Sequence, residues 1–420
     1  MNTRSFILPA RRLVTCDPAR ATEADPLGVI EDGAIAVKDG AIVGVGPRDE
    51  VLWLHRGLPV VSLESAPLVT PGLVDAHTHA PWVGSRDAEY ALRLAGAGYE
   101  AIAAAGGGIV SSMRAVRTAS PDEIDATLSA RLRRMASLGV TTVEAKSGYG
   151  LDEAGETKQL EALERAAARR DLPRVVPTFL ALHAIPPEAR ADRAAYIEAV
   201  RERTLPTIAA RRLARFVDVY VDRAAFSVDE ARPVLARARA LGLGVRVHAG
   251  QFADVGGAEL AAEFGAASAD HLEQVSPEGA RALAAAGVRA VLLPVASFTL
   301  RQDPPPIATL RAAGVRLVVA SDANPGTAPT ESLPLALALA ARMYGLTVPE
   351  VILGATREAA ASLGLADEVG VVRPGTRADL VAWDLPHENA LVQPWGVSRA
   401  LFVLREGAPI AGAQASLGPA

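Results

Sequence analysis

Cysteine is all but missing from these 420 residues: Cys16 is the only one. That excludes a disulfide framework and suits a reducing compartment. No long basic run is present and the net charge is only −5, so neither nucleic acid nor an acidic membrane surface is an expected partner. Long apolar runs are missing as well. The most apolar late stretch, Leu333 to Ala341, is far too short to span a bilayer and reads as the buried side of a helix. Met1 to Thr15 carries Arg4, Arg11 and Arg12 among short apolar pieces, without the apolar core of a secretory signal. The expectation from these absences is a soluble, cytoplasmic protein.

What is present points to one large core. Half of the residues are hydrophobic and 22% are charged, enough for one large domain and a smaller partner. Both ends read as short strands. Ala34–Val37 and Ala41–Val45 flank Lys38-Asp39-Gly40, and Asp-Gly is a strong hairpin signal. Gly370–Val372, Asp379–Trp383 and Ala400–Leu404 are the matching pieces at the far end. Neither end can build its own core, so residues 1–66 and 367–420 are expected to pair into one small β-sandwich domain.

Residues 67–366 alternate. Strand-like runs fall at Leu73–His77, Thr141–Lys146, Val175–Leu182, Phe216–Val221, Gly244–His248, Ser268–His271, Ala290–Leu293 and Arg316–Ala320. Helix starts lie between them: Ser120-Pro121-Asp122-Glu123 and Ser227-Val228-Asp229-Glu230 are capping boxes, and Ser276-Pro277 opens another helix. Eight strands alternating with helices predict an α/β fold with a closed (β/α)8 TIM-like barrel; an open doubly wound sheet is the alternative.

The chemistry centres on Pro71-Gly72-Leu73-Val74-Asp75-Ala76-His77-Thr78-His79. On a strand, residues two apart face the same side, so both imidazoles can converge on one point. Of seven histidines, His55 and His387 lie in the terminal pieces. His77, His79, His183, His248 and His271 all fall at or just past a predicted strand end, which is the active-site mouth of such a barrel. Strand eight ends at Ser321-Asp322, adding a carboxylate to that rim. His77, His79, His248 and Asp322 therefore form a three-nitrogen, one-oxygen set for a divalent ion that could activate water to hydrolyse an amide or amidine. Gly106-Gly107-Gly108 lacks the Gly-Lys-Ser/Thr of a phosphate loop and reads as a flexible hinge or lid. Lys146 could bridge two metals as a carbamate, but it lies on the second predicted strand, so a mononuclear site is expected.

These residues resemble the amidohydrolase superfamily, as does the return Val372-Arg373-Pro374-Gly375-Thr376-Arg377-Ala378-Asp379-Leu380-Val381. Gly84-Ser85-Arg86, Ala105 to Ser112, Glu144-Ala145-Lys146-Ser147-Gly148-Tyr149-Gly150-Leu151-Asp152 and Ser321-Asp322-Ala323-Asn324-Pro325-Gly326-Thr327 are similar to its imidazolonepropionase family. The resemblance spans about residues 70 to 385. It implies one zinc or iron ion at His77, His79, His248 and Asp322, a homodimer, and hydrolysis of 4-imidazolone-5-propanoate to N-formimidoyl-L-glutamate in histidine degradation. It also implies substrate contacts at Arg86, Tyr99, Tyr149, His183, Gln251, Asn324, Gly326 and Thr327. A guanidinium at Arg86 suits a propanoate tail.

One departure stands out. Gly250 and Gln251 follow His248, where acidic residues occur in some members of the family. Glutamine cannot serve as a general base, so proton transfer is expected of His271 and Asp322, with Gln251 assisting in the catalytic site. Alternatives are another cyclic-amide hydrolase, a heterocycle deaminase, or a barrel that has lost catalysis and serves as a scaffold.

Overall fold

The computed structural model describes residues 4–61, 68–96, 107–223 and 225–412. Two sheets organise them. The smaller runs, in spatial order, Ala408–Gly412, Ala400–Arg405, Leu380–Trp383, Leu68–Pro71, Phe6–Val14, Val29–Lys38 and Ala41–Pro47. Its hairpin turn is the expected one: Asp39 and Gly40 both take positive φ, +52° and +83°, as a type I′ turn requires. The sheet curls until its Ala41–Pro47 edge meets the segment leading into Leu380–Trp383. Ile42 N–H donates to Thr376 O (2.8 Å) and Ala378 N–H to Gly40 O (2.9 Å). Phe6, Leu8, Ile35, Leu380 and Phe402 consequently share one apolar core.

Two expectations shift here. Gly370–Val372 is no strand: Gly370 turns at φ +84°, and Val372 N–H instead bonds Thr15 O at 2.8 Å. Leu68–Pro71 belongs to the smaller sheet, past the expected join at 66/67, because it pairs with Phe6–Val14 on one side and Leu380–Trp383 on the other. The chain crosses to the barrel at Gly72, where any side chain would run into Thr141.

The larger sheet holds eight strands, Leu73–Asp75, Val140–Lys146, Arg174–Leu182, Phe216–Val221, Gly244–Ala249, Ser268–His271, Arg289–Leu292 and Leu317–Val319, each parallel to the next in sequence. It closes through the residues that leave its first and last strands. Asp322 N–H donates to His77 O (3.1 Å) and His79 N–H to Ala323 O (2.9 Å). Barrel closure and the convergence of site residues are thus one event. The capping boxes at Ser120 and Ser227 form as expected, and Ser276 caps the helix Pro277–Ala286. Leu333–Tyr344 is a helix that buries Leu333, Ala336, Leu337 and Ala340, so its apolar stripe is core. Among the described residues no helix is long and apolar enough to cross a membrane.

Candidate active site

Past the first strand, alternation aims His77 and His79 into the barrel mouth, both buried. His77 Nδ1–H donates to Asp270 Oδ2 at 2.6 Å, which fixes the ring and leaves Nε2 facing inward. His248, near the end of the fifth strand, has Nδ1 3.0 Å from Asp218 Oδ2, an ion-pair separation without hydrogen-bond geometry. Asp322 Oδ1 approaches His77 Nε2 (3.5 Å) and His79 Nε2 (3.4 Å). Donor atoms of His77, His79 and His248 lie within 4.8 Å of one another. Among the described residues, His77 Nε2 and His248 Nε2 are buried without a hydrogen-bond partner. Unpaired buried nitrogens cost roughly 1–3 kcal/mol each unless something binds them. Three imidazoles and one carboxylate fit a first-row divalent ion, so the residues present suit a metal.

The backbone is strained at this rim. His271, Leu272 and Asp322 take φ of +80°, +71° and +55°, conformations that cost about 1–3 kcal/mol each and are held by the closed barrel. The strain turns His271 toward the cluster, its ring centroid 6.0 Å from His77 and 5.5 Å from His248. Glu273 Oε2 lies 3.7 Å from His271 Nδ1, and Ser297 Oγ holds its other oxygen at 2.8 Å.

Beneath the imidazoles lies a fully buried charged layer. Lys146 Nζ is 2.9 Å from Glu144 Oε1, 2.8 Å from Asp218 Oδ2 and 3.7 Å from Asp270 Oδ2. Arg246 Nη2 is 3.5 Å from Asp270 Oδ2 and donates to Ala76 O at 2.8 Å. Burial works against the charge on Asp270, but Arg246 and His77 outweigh it and hold the carboxyl far below its usual range. Burial likewise opposes the Lys146 charge, and Asp218 and Glu144 overcome it, raising its pKa. A carbamate needs a neutral amine; this one is an ammonium held by carboxylates. Sequence reasoning left Asp218, Asp270 and Arg246 unnamed. Their signal was a charged residue inside an otherwise apolar strand, such as Asp218 in Phe216-Val217-Asp218-Val219.

Around the mouth stand the remaining candidates. Tyr149 is buried, its ring 5.9 Å from His79 and 5.3 Å from His183. His183 Nδ1–H donates to Gly148 O at 2.7 Å; burial and the neighbouring His79 lower its pKa to about 3, so the ring is neutral. Gln251 Oε1 accepts from Tyr220 O–H at 2.7 Å, and the Tyr220 ring lies 5.6 Å from His248. Asn324 is turned into its own loop: Oδ1 accepts from Gly326 N–H (2.8 Å) and Thr327 N–H (2.7 Å), while Nδ2 donates to Asp322 O (2.7 Å). It shapes the loop that carries Asp322 and Thr327. Arg86 forks onto Glu89, Nε to Oε2 at 2.8 Å and Nη2 to Oε1 at 2.5 Å, and packs so closely on Gly326 that a side chain there would displace the guanidinium. Tyr99, Ala105 and Gly106 lie outside the described residues.

Comparison with known proteins supplies the family and the fold. Residues 68–412 match the Amidohydrolase family. An imidazolonepropionase of Mesorhizobium japonicum is 46% identical over 90% of this chain and 93% of its own length. One from Acidiphilium cryptum is 48% identical over 89% of this chain and 91% of its own. Among solved structures, a triazine hydrolase variant superposes with a TM-score of 0.76 at 18% identity, covering 99% of this chain and 97% of the other. A zinc-bound adenosine deaminase from Xanthomonas campestris gives 0.71 at 19%, covering 96% and 92%. At such identities these two share the fold.

Proposed function

Since this chain belongs to the imidazolonepropionase family of the amidohydrolases, we infer that it hydrolyses the ring of 4-imidazolone-5-propanoate to N-formimidoyl-L-glutamate, a step of histidine degradation. One observation carries the hydrolytic reading: buried, unpartnered imidazole nitrogens converge with Asp322 at the barrel mouth. His77, His79, His248 and Asp322 would hold one ion, zinc or iron. Such an ion supplies Lewis acidity and makes water nucleophilic at neutral pH.

The protein's own residues do the rest. Hydrolysis joins water oxygen to the ring carbonyl carbon, breaks the carbonyl carbon–nitrogen bond, and returns a proton to the departing nitrogen. His271 and Asp322 face that position and exchange the proton, with Glu273 Oε2 3.7 Å behind His271 Nδ1. Gln251, tied to Tyr220, positions without transferring protons. Arg86 takes the propanoate, and Glu89 pre-aligns its guanidinium. Neutral His183 and Tyr149 offer hydrogen bonds to the flat ring, with Gly326 and Thr327 completing the pocket. The charged state of Lys146 supports a single ion instead of a carbamate-bridged pair.

This reading places the activity in the cytoplasm and in a homodimer, with a small molecule as the only substrate class. It divides the chain into a catalytic unit ending near 366 and a small unit built from both termini, with the join after Pro71; the separate apolar core of the smaller sheet supports that division. The test is direct. Metal-loaded protein should abolish the ultraviolet absorbance of fresh 4-imidazolone-5-propanoate without releasing ammonia, and should carry about one zinc or iron per chain. Ammonia release would instead identify a deaminase.

A further inference from the structure

We propose that Glu156 is a positioning residue for substrate binding: its carboxylate holds residues 148–151 so that Tyr149 and His183 face the substrate. This rests on the function proposed above, in which those two side chains contact the ring.

Glu156 lies in the first turns of the helix Glu153–Ala167, whose N-cap is Asp152. A glutamate there ordinarily faces its own helix end. This one reaches back to the preceding loop. Oε2 accepts from Gly148 N–H at 2.7 Å, and Oε1 accepts from Gly150 N–H and Leu151 N–H, each at 2.8 Å. Gln159, one turn on, accepts from Tyr149 N–H (3.1 Å) and Gly150 N–H (3.2 Å), and donates to Pro81 O (3.1 Å), two residues past His79. Every amide from Gly148 to Leu151 is therefore taken by one of two side chains.

The loop would not hold this shape unaided. Gly148 sits at φ +114° and Leu151 at φ +54°, a region that a leucine enters only under constraint. A Cβ on Gly155 would meet Gly150 Cα at 2.6 Å, so loop and helix backbone touch. The buried carboxylate has no cationic partner among the described residues, and burial pushes its pKa up to about 7. A costly buried acid aimed at three loop residues is poorly explained by helix stability alone. The loop's output is functional: Gly148 O accepts from His183 Nδ1–H, and Tyr149 stacks its edge against His79 and His183.

The test uses the metal-loaded full chain. Glu156→Gln keeps the shape but sets an NH2 group against an amide donor. Its amides at 148, 150 and 151 should exchange at least tenfold faster with solvent. KM for the imidazolone should rise about tenfold, with kcat within threefold and metal content unchanged. In a Tyr149→Phe background the same change should raise KM less than threefold, since both act through one contact. Gln159→Leu should move exchange and KM in the same direction, and decides the matter if Glu156→Gln does not fold. Unchanged exchange, faster exchange with unchanged KM, or full additivity with Tyr149→Phe would each overturn the proposal. Failure of the unmodified enzyme to open the imidazolone would instead overturn the functional reading, and amide exchange would still judge the clamp.

Discussion

The two sheets of this molecule bury opposite things. Inside the curl of the smaller one Phe6, Leu8, Ile35, Val37, Leu380 and Phe402 pack into one apolar cluster. At the mouth of the larger, Glu144, Lys146, Asp218, Arg246 and Asp270 are all fully buried. An apolar core stabilises by about 25 cal/mol per Å2 of surface removed from water. A buried ionic cluster at best recovers its own desolvation, and replacing it with packed apolar groups is often neutral or stabilising. The barrel therefore carries its charges for another reason: Asp270 holds His77 by one nitrogen and leaves the other facing the site, and Asp218 lies 3.0 Å from His248 Nδ1. One sheet is built for stability and the other accepts a stability cost for chemistry.

Substitutions can break that contrast. The largest effect is expected at the ligands: His77→Ala or His248→Ala should lose both bound metal and turnover, read by elemental analysis beside the absorbance assay, while the protein stays folded. Two tightly bound ions per unmodified chain would overturn the single-ion assignment. Next comes His271→Ala, expected to lower kcat roughly a hundredfold or more with metal still bound, the scale of a general base. Near-normal turnover would shift proton transfer to Asp322 alone.

Lys146→Met tests the charged layer. It strands Glu144 and Asp218 without their cation and should destabilise the fold by about 3–5 kcal/mol in urea titration, weakening metal retention as well. If stability rises and metal is kept, the layer is dispensable. The smallest effect on activity belongs to the other sheet. Leu8→Ala removes a wholly buried side chain and should cost about 2–5 kcal/mol in the same titration, yet leave kcat and metal content unchanged. Together the last two variants separate stability lost with function from stability lost alone.

Much of the layout was legible in residue order. The eight strand runs, the Ser120, Ser227 and Ser276 caps and the Asp39-Gly40 turn all follow local rules, because alternation, capping and turn chemistry act over a few residues. Histidines at strand ends were visible for the same reason. Gly370–Val372 misled because an apolar pair after glycine resembles a strand until packing shows its amide bonded to Thr15. Leu68–Pro71 was assigned to the wrong side of the join since its partners lie more than fifty residues away in one direction and three hundred in the other.

The amino-acid sequence by itself determined the barrel, the histidines and aspartate at its strand ends, and the family. Only the tertiary structure decided that Asp270 fixes the ring of His77, that Asp218 lies beside His248, that Lys146 sits among carboxylates, and that Glu156 grips the Tyr149 loop. A ligand is recognisable by its element and spacing, properties of a short stretch. A side chain that orients it is defined by distance and surrounding charge, which exist only once strands far apart in sequence close around one point.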